Sequence, residues 1–202
     1  MRVLDVGCGF GNPPVRAAVQ EDDSLIGIDI SVKSLNVARA RYPHRQFLCG
    51  RAEQLPFLEG SFDRVVSSVS LPYSDIPSAL AETRRVLTQV GSVFIALHTW
   101  RFTLQELRTA LPRPTASIFR IYVLVNGLLF HLTGRTLKFA NGKTESFQTK
   151  RGMRLALNRA GFTNVVFRTP DGRLIVEAVV AHPAPMGVPD TSMSSSADRG
   201  LS

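Results

Sequence analysis

A glycine-rich segment near the start of the chain is the first place where residue types and spacing suggest chemistry. It reads Asp5-Val6-Gly7-Cys8-Gly9-Phe10-Gly11 and continues an apolar, strand-like run. Glycines at alternate positions allow unusual backbone angles and let a ligand approach the main chain closely. A helix that begins directly afterwards offers free backbone N–H groups to the same ligand. The segment therefore predicts a ligand-binding turn between a strand and a helix.

Two features of this turn favour a cationic ligand over a pyrophosphate. Position 12 is Asn12, where the dinucleotide-binding fingerprint has glycine. Asp5 lies two residues before Gly7, and a carboxylate there attracts an ammonium or sulfonium group and repels phosphate. The alternative is that Asp5 only caps a turn or pairs with an arginine.

A second carboxylate, Asp29, ends the next strand-like run, Ile26-Gly27-Ile28-Asp29-Ile30. At the end of a strand it can accept hydrogen bonds from both hydroxyls of a ribose. Adenosylmethionine and nicotinamide dinucleotides both carry such a ribose, so Asp29 does not separate them. Helix capping by Asp29 is the structural alternative.

The elements that must position these residues follow from the hydrophobic pattern. Short, continuously apolar runs are typical of parallel strands that are buried on both faces. Helix-like segments lie between them, with capping residues or helical spacing of their apolar positions. Strands are predicted at residues 3–6, 25–30, 46–49, 62–68 and 92–97, and helices after Asn12, after Ser31 and at 77–88.

The C-terminal half returns to regular structure after an irregular stretch at 98–148. A helix is predicted between Thr149, its cap, and Gly161, its stop. Strands at 165–167 and 174–180 flank a Pro-Asp-Gly turn, which predicts an antiparallel pair. The whole pattern predicts an α/β fold, a Rossmann-like doubly wound sheet that is mostly parallel with an antiparallel C-terminal strand pair.

Composition limits the classes of function. Two cysteines in 202 residues give no disulfide framework, which predicts a reducing, cytoplasmic setting. Without a Cys/His cluster of metal-binding spacing we expect no metal site. The longest apolar stretch, 118–132, is shorter than the about 18 residues of a membrane span and contains Arg120 and Asn126. It predicts either a buried helix or a helix on a membrane surface.

The net charge of +8 comes entirely from the second half of the chain. Residues 98–202 contain fourteen Lys/Arg and six Asp/Glu, whereas residues 1–97 contain ten of each. This asymmetry indicates an acidic partner near the second half, or simply a solvated basic surface. We expect no nucleic-acid partner, because basic and aromatic residues do not alternate as they do in a nucleic-acid groove. The oligomeric state is not indicated.

Several segments in order resemble the motifs of class I S-adenosylmethionine-dependent methyltransferases, in particular the type-11 methyltransferase domain family. They are Asp5-Val6-Gly7-Cys8-Gly9-Phe10-Gly11, Gly27-Ile28-Asp29-Ile30-Ser31, Gly50-Arg51-Ala52-Glu53-Gln54-Leu55-Pro56-Phe57, Gly60-Ser61-Phe62-Asp63-Arg64-Val65-Val66-Ser67-Ser68 and Ala81-Glu82-Thr83-Arg84-Arg85-Val86-Leu87 with the strand after it. The resemblance covers residues 1–97 and returns at 145–180. It implies S-adenosyl-L-methionine as the cofactor and methyl transfer as the activity.

The resemblance also implies roles at the methionine end of the cofactor. Gly7 and Gly9 would line the methionine part, with Asp5 near its amino group. Ser68, at the end of the fourth strand, would face the cofactor near the sulfonium.

At the nucleoside end, the resemblance implies that Asp29 holds the ribose and Ile30 packs on the adenine. The loop Arg51-Ala52-Glu53 would flank the adenine edge. Arg51 is a departure, because the family usually has aspartate there. A second departure is the start of the chain on its first strand, without the helices that commonly cover the cofactor.

The expected domain is 1–181, with 98–148 as an insertion that caps the acceptor and 182–202 as a disordered tail. Basic and large apolar residues share the insertion, which favours a small acceptor that is apolar or acidic. Tyr73, His98 and Trp100 are candidate pocket residues, of which His98 is positioned to take a proton; no general base is assigned. Three alternatives stay open: an NAD-dependent oxidoreductase, a non-catalytic or truncated methyltransferase-like module, and an RNA methyltransferase.

Overall fold

One seven-stranded sheet forms the centre of the protein. The computed structural model describes residues 1–11, 18–20, 22–97, 105, 114–139, 142–170 and 173–181, without the side chains of 114–117. The strands are β1 (Arg2–Val6), β2 (Ser24–Asp29), β3 (Gln46–Cys49), β4 (Phe62–Ser68), β5 (Leu87–Leu97), β6 (Phe162–Arg168) and β7 (Leu174–Val180). Their order in the sheet is β3-β2-β1-β4-β5-β7-β6.

The strand pairing confirms the predicted fold class. Strands β1 to β5 run parallel to their neighbours. β7 is antiparallel to both β5 and β6. The order reverses on either side of β1, and open α/β sheets bind ligands at the carboxyl ends of the strands beside such a reversal.

Four helices and one short 3-10 helix accompany these strands in the described part of the chain. They are α1 (Val32–Arg41), α2 (Ile76–Val86), α3 (Pro114–Thr133) and α4 (Lys150–Arg159), with the 3-10 helix at Leu71–Tyr73. The predicted caps of α1 and α4 are confirmed, because the hydroxyls of Ser31 and Thr149 accept from the backbone N–H three residues on. The predicted helix after Asn12 begins in residues outside the described ranges, and the predicted tail 182–202 lies wholly outside them.

Two sequence-based expectations were wrong in detail. The stretch 98–148 is not irregular throughout, because the helix predicted at 118–132 is present within α3, which occupies twenty residues of the stretch. The predicted helix at 77–88 ends at Val86, and β5 starts at Leu87, five residues earlier than predicted. Leu87 pairs with Phe62 beyond a local irregularity in the β4–β5 ladder, and such an interruption of pairing is not visible in a hydrophobic pattern.

The core lies on both faces of the sheet. Alternate residues of β1 point to opposite faces of the sheet. Leu4 and Val6 belong to the main hydrophobic cluster, which also contains residues of α2 and α4. Val3 belongs to a smaller cluster that contains Ala18. Within the described ranges, no helix is long and apolar enough to cross a membrane. The same residues contain no group of three or more His, Cys, Asp or Glu that would hold a metal ion.

Candidate functional site

The glycine turn after β1 is closely packed against the turn after β4. Gly7, Gly9 and Gly11 have φ of 77°, 52° and 76°, in the left-handed region that favours glycine. The N–H groups of Gly7 and Cys8 both donate to the carbonyl of Ile28, at 2.7 and 3.1 Å. A Cβ added at Gly7 would overlap the side chain of Ser70. Glycine is therefore required at position 7 for two independent reasons.

The carboxylate of Asp29 ties this turn to β2. Its Oδ2 accepts from the N–H of Gly9 at 2.9 Å, and its Oδ1 accepts from the N–H of Ser31 at 2.8 Å. An ionised carboxylate has about four lone-pair positions, so each oxygen keeps capacity for another donor. Asp29 can thus fix the turn and still accept both hydroxyls of a diol.

Asp5 is a buried carboxyl without a described hydrogen-bond partner at its Oδ1. Its pKa is raised from 3.8 to about 7, first by burial and then by the charge of Asp29, while Arg45 opposes the rise. The neighbouring Cys8 thiol has its pKa raised to about 12, chiefly by burial and then by Asp5 and Asp29. A cation near the glycine turn would stabilise the ionised form of Asp5, which fits the ammonium or sulfonium of the expected cofactor.

A cavity of about 240 Å³ lies at the carboxyl edge of the sheet, and we call it the inner cavity. Six of the nine predicted site residues line it: Gly7, Asp29, Ile30, Arg51, Ala52 and Glu53. The other three, Asp5, Gly9 and Ser68, are not among its described lining residues. The remaining wall consists of Val6, Ile28, Gly50, Ser70, Tyr73 and Ser74.

Ser70 is a lining residue that the sequence reasoning missed. Its hydroxyl donates to the carbonyl of Val6 at 2.7 Å and shares a 2.7 Å hydrogen bond with the hydroxyl of Ser67. Val69 has φ of 62°, a strained conformation for a β-branched residue. This residue turns the chain just after β4, at the point where Ser70 meets the glycine turn. The cluster of serines at the end of the strand was the available signal for this position.

The Arg51-Ala52-Glu53 loop is held by one ion pair and by hydrogen bonds from backbone N–H groups to carboxylates. Arg51 Nε lies 3.5 Å from one oxygen of Glu53, and the other oxygen accepts from the N–H of Asp75 at 3.0 Å. The loop is anchored a few residues on, where Glu82 accepts from the N–H of Leu55 at 2.8 Å.

Glu82 itself is held by Arg85, one turn further along α2. Arg85 Nε lies 2.7 Å from Glu82, and the guanidinium also donates to the carbonyls of Leu55 and Phe57. The hydrogen bond from Arg85 is the main cause of the lowered pKa of Glu82. Helix α2 therefore sets the position of the loop that flanks the inner cavity.

A larger cleft of about 900 Å³ adjoins the inner cavity, and we call it the outer cleft. Four residues line both spaces: Ile30, Arg51, Glu53 and Tyr73. The far wall comes from α3 and the segment after it. Its residues are Phe119, Lys138, Gly142, Lys143, Thr144 and Glu145.

The far wall of the outer cleft is rigidly attached to α3. The buried amide of Asn126 accepts from the N–H of Leu137 at 2.7 Å and donates to the carbonyls of Leu137 and Glu145. Arg120 donates to the carboxylate of Glu145 at 2.6 Å. The rings of Phe119, Tyr122 and Phe139 pack together, with centroids 4.8 to 5.7 Å apart.

Of the three candidate pocket residues named from sequence, Tyr73 lines both spaces. The 3-10 helix places it there, because the N–H of Tyr73 donates to the carbonyl of Ser70 at 3.1 Å. His98 and Trp100 lie outside the described residues.

Comparison with known proteins finds similarity to methyltransferases. Residues 4–95 match a family model described as methyltransferase domain. An uncharacterized methyltransferase of Synechocystis sp. is 37% identical over 109 residues, which is 50% of this chain and 50% of that protein. The demethylmenaquinone methyltransferase of Staphylococcus aureus is 29% identical over 177 residues, 85% of this chain and 71% of that protein.

The chain thus spans half the length of the Synechocystis relative, and less of several others. Among solved structures, the S-adenosylmethionine dependent methyltransferase of Mesorhizobium loti superposes with a TM-score of 0.60 at 17% identity, covering 88% of this chain and 90% of that one. At this identity the likeness concerns the fold.

Proposed function

We propose that this chain is a class I S-adenosylmethionine-dependent methyltransferase, because residues 4–95 match a family model described as methyltransferase domain, and that it transfers the methyl group of S-adenosyl-L-methionine to a small acceptor that is apolar or acidic. The single observation that carries this proposal is the pair of adjoining spaces at the carboxyl edge of the sheet. The inner cavity is lined by Gly7 of the glycine turn, by Asp29 and by the Arg51-Ala52-Glu53 loop, and the outer cleft shares four wall residues with it.

The residues of the inner cavity fit the cofactor in their chemistry. Gly7 lets the turn approach Ser70 closely, Asp29 offers two unused acceptor positions to a ribose, and Ile30 is an exposed apolar surface for an adenine ring. Arg51, Ala52 and Glu53 would flank the adenine edge. Asp5, Gly9 and Ser68 do not line this cavity, and we assign them supporting roles behind the turn and at the end of β4.

When bound, the cofactor supplies an activated methyl group, so the protein has mainly to position the acceptor and to exclude water. Asp5 stabilises positive charge near the glycine turn through its field, because its carboxyl is buried in a medium that screens little. Tyr73 stands at the boundary of both spaces and would orient the acceptor. No general base is assigned.

The chemistry of the outer cleft supports the acceptor class. Phe119 offers an aromatic surface, and Lys138 an exposed ammonium, on the same wall. Glu145, the one carboxylate among the described residues of this wall, is already engaged with Arg120. The S. aureus relative is named for demethylmenaquinone, and a flat apolar ring of that kind suits Phe119. We propose that 1–181 form one domain in which 98–148 cap this cleft.

An NAD-dependent oxidoreductase is disfavoured by the same geometry. The N–H of Gly9, which would approach a pyrophosphate, is occupied by the carboxylate of Asp29. A second carboxyl, Asp5, lies beneath the turn, and both would repel phosphate oxygens.

The test is transfer of a radiolabelled methyl group from S-adenosylmethionine to paired acceptors. Each pair consists of an aromatic or long-chain acid and the corresponding neutral, polar amide. We expect the acids to be methylated with the higher kcat/KM, and Lys138→Gln to reduce that preference. Equal turnover of both members of every pair contradicts the acceptor class. Cofactor binding without turnover of any acceptor indicates a non-catalytic module.

A further inference from the structure

Helix α3 presents a continuous aliphatic face to the outside. Ile118, Ile121, Val125, Leu128 and Leu132 are each 56% to 60% exposed, and they recur at alternating spacings of three and four residues. We call these five residues the α3 stripe. Scattered exposed hydrophobic residues are normal on protein surfaces, whereas a contiguous patch marks an interaction surface.

The opposite face of α3 is firmly packed, so the stripe cannot turn inward. Val123 and Phe130 are almost completely buried. A Cβ at Gly127 would overlap the ring of Phe147, and a Cβ at Gly152 of α4 would overlap Phe130. The helix is thus in van der Waals contact with its neighbours on one side only.

The segment that contains the stripe is rich in basic residues. Residues 114–170 contain nine Lys/Arg and one acidic residue, Glu145, which is paired with Arg120 at 2.6 Å. Arg135, Lys138 and Arg159 are exposed near the C-terminal end of α3. Arg159 is held there by donating to the carbonyl of Thr133.

We propose that the α3 stripe docks on an anionic lipid surface. An aliphatic helix face enters the boundary between headgroups and acyl chains, and nearby Lys and Arg side chains bind anionic headgroups. The charge favours this occupant over a second copy of the chain, because two copies would bring two strongly basic surfaces together. The helix lies in the plane of the surface, since its other face is packed on the protein.

The position of the stripe relative to the outer cleft follows from two neighbouring pairs of residues. Ile118 belongs to the stripe and Phe119 lines the cleft. Leu137 is 57% exposed and its backbone is hydrogen-bonded to Asn126 of α3, while Lys138 lines the cleft. Successive residues of a helix point about 100° apart, so Phe119 lies towards the packed side of α3, and docking through the stripe leaves the outer cleft on the side of the helix away from the lipid. The docking itself does not depend on the identity of the acceptor.

The experiment is co-sedimentation of the full chain with sucrose-loaded vesicles at low salt. One set of vesicles is pure phosphatidylcholine, and the other contains about 30 mol% phosphatidylglycerol. We expect partition to the anionic vesicles to be at least about tenfold stronger, because two exposed basic side chains, Arg135 and Arg159, contribute. The variant I121Q/V125Q/L128Q lowers this partition by at least about tenfold, since less apolar surface is buried.

The matched control is V37Q/L58Q/V90Q, which replaces three exposed aliphatic residues elsewhere and is expected to bind vesicles like the wild type. Thermal melting by circular dichroism checks that each variant folds. If the triple variant does not fold, the single variant V125Q is used in its place. Unchanged partition of a folded stripe variant overturns the proposal, as does equal binding to neutral and anionic vesicles. A dimer in sedimentation velocity that dissociates on stripe substitution, without vesicle binding, assigns the stripe to a second copy and also overturns it.

Discussion

The buried carboxyl of Asp5 gives a pH-dependent test of the site. Its pKa in the folded protein is about 7, against 3.8 for an ordinary aspartate, mainly because burial disfavours the charged form. The folded state therefore keeps a proton that the unfolded state loses between pH 3.8 and about 7. It follows that stability falls as the pH rises through this window and levels off above it. Asp5→Asn removes the titration and should abolish this fall.

The magnitude follows from the two pKa values. A rise from 3.8 to about 7 corresponds to about 4 kcal/mol, of which about 3 kcal/mol accumulates between pH 4.5 and pH 8. A domain of ordinary stability unfolds with about 5–15 kcal/mol, so the effect is a large share of the total. For a chain of about 200 residues, 3 kcal/mol changes the Tm by about 6–12 °C.

The assay is guanidinium chloride unfolding of the wild type and Asp5→Asn at both pH values, without ligand. Between pH 4.5 and pH 8, we expect the free energy of unfolding of Asp5→Asn to rise by about 3 kcal/mol relative to that of the wild type. Asp63→Asn is the control, and its difference from the wild type should stay nearly constant between pH 4.5 and pH 8, because hydrogen bonds from Arg2 lower the pKa of Asp63 below its ordinary value of 3.8. Its contribution is present above the unfolded pKa and is lost as the pH falls. A stability difference between Asp5→Asn and wild type that does not change with pH refutes the reasoning.

Three further predictions follow from local geometry. Gly7→Ala should lower the free energy of unfolding by at least about 2 kcal/mol and weaken cofactor binding, both measured by thermal shift. Gly60→Ala is the control, because Gly60 has φ of 67° but no atoms within 4 Å of the added Cβ. It should lower the free energy of unfolding by about 1 kcal/mol and leave cofactor binding unchanged. Glu82→Gln should lose about 1–2 kcal/mol at pH 7, and its difference from wild type should shrink in urea titrations as the pH falls below 4.5, because the pKa of Glu82 is lowered. Iodoacetamide at pH 8 should modify the exposed Cys49 but not the buried Cys8, whose pKa is raised to about 12. Mass spectrometry of the peptides measures the labelling of each cysteine. Fast labelling of Cys8 would contradict the prediction and show that the turn opens.

The parts of the site that depend on local chemistry were predictable from sequence. The capping residues of α1 and α4 and the contact of Asp29 with Ser31 involve neighbours two or three residues away, and the positive φ values of the turn after β1 are a local preference of glycine. The parallel sheet was predictable as well, because apolar runs of strand length alternate with helical spacing. These features need no knowledge of distant contacts.

The remaining features depend on tertiary structure. Helix α3 is largely apolar, so its periodicity does not indicate which face carries Asn126 and packs on α4 and which face is exposed. The placement of Ser70 rather than Ser68 in the inner cavity depends on the left-handed backbone of Val69. A β-branched residue gives no sequence signal for that conformation.

The most direct test of the central claim is calorimetric titration with S-adenosylhomocysteine, with NAD as the control ligand. We predict one binding site for S-adenosylhomocysteine, no heat from NAD, and an affinity at least about tenfold lower in Asp29→Asn, because one charge-assisted acceptor for the ribose is lost. Asp22→Asn, an exposed carboxylate in the turn before β2, should bind like the wild type. Binding of NAD in place of S-adenosylhomocysteine, or no binding of either, would contradict the account.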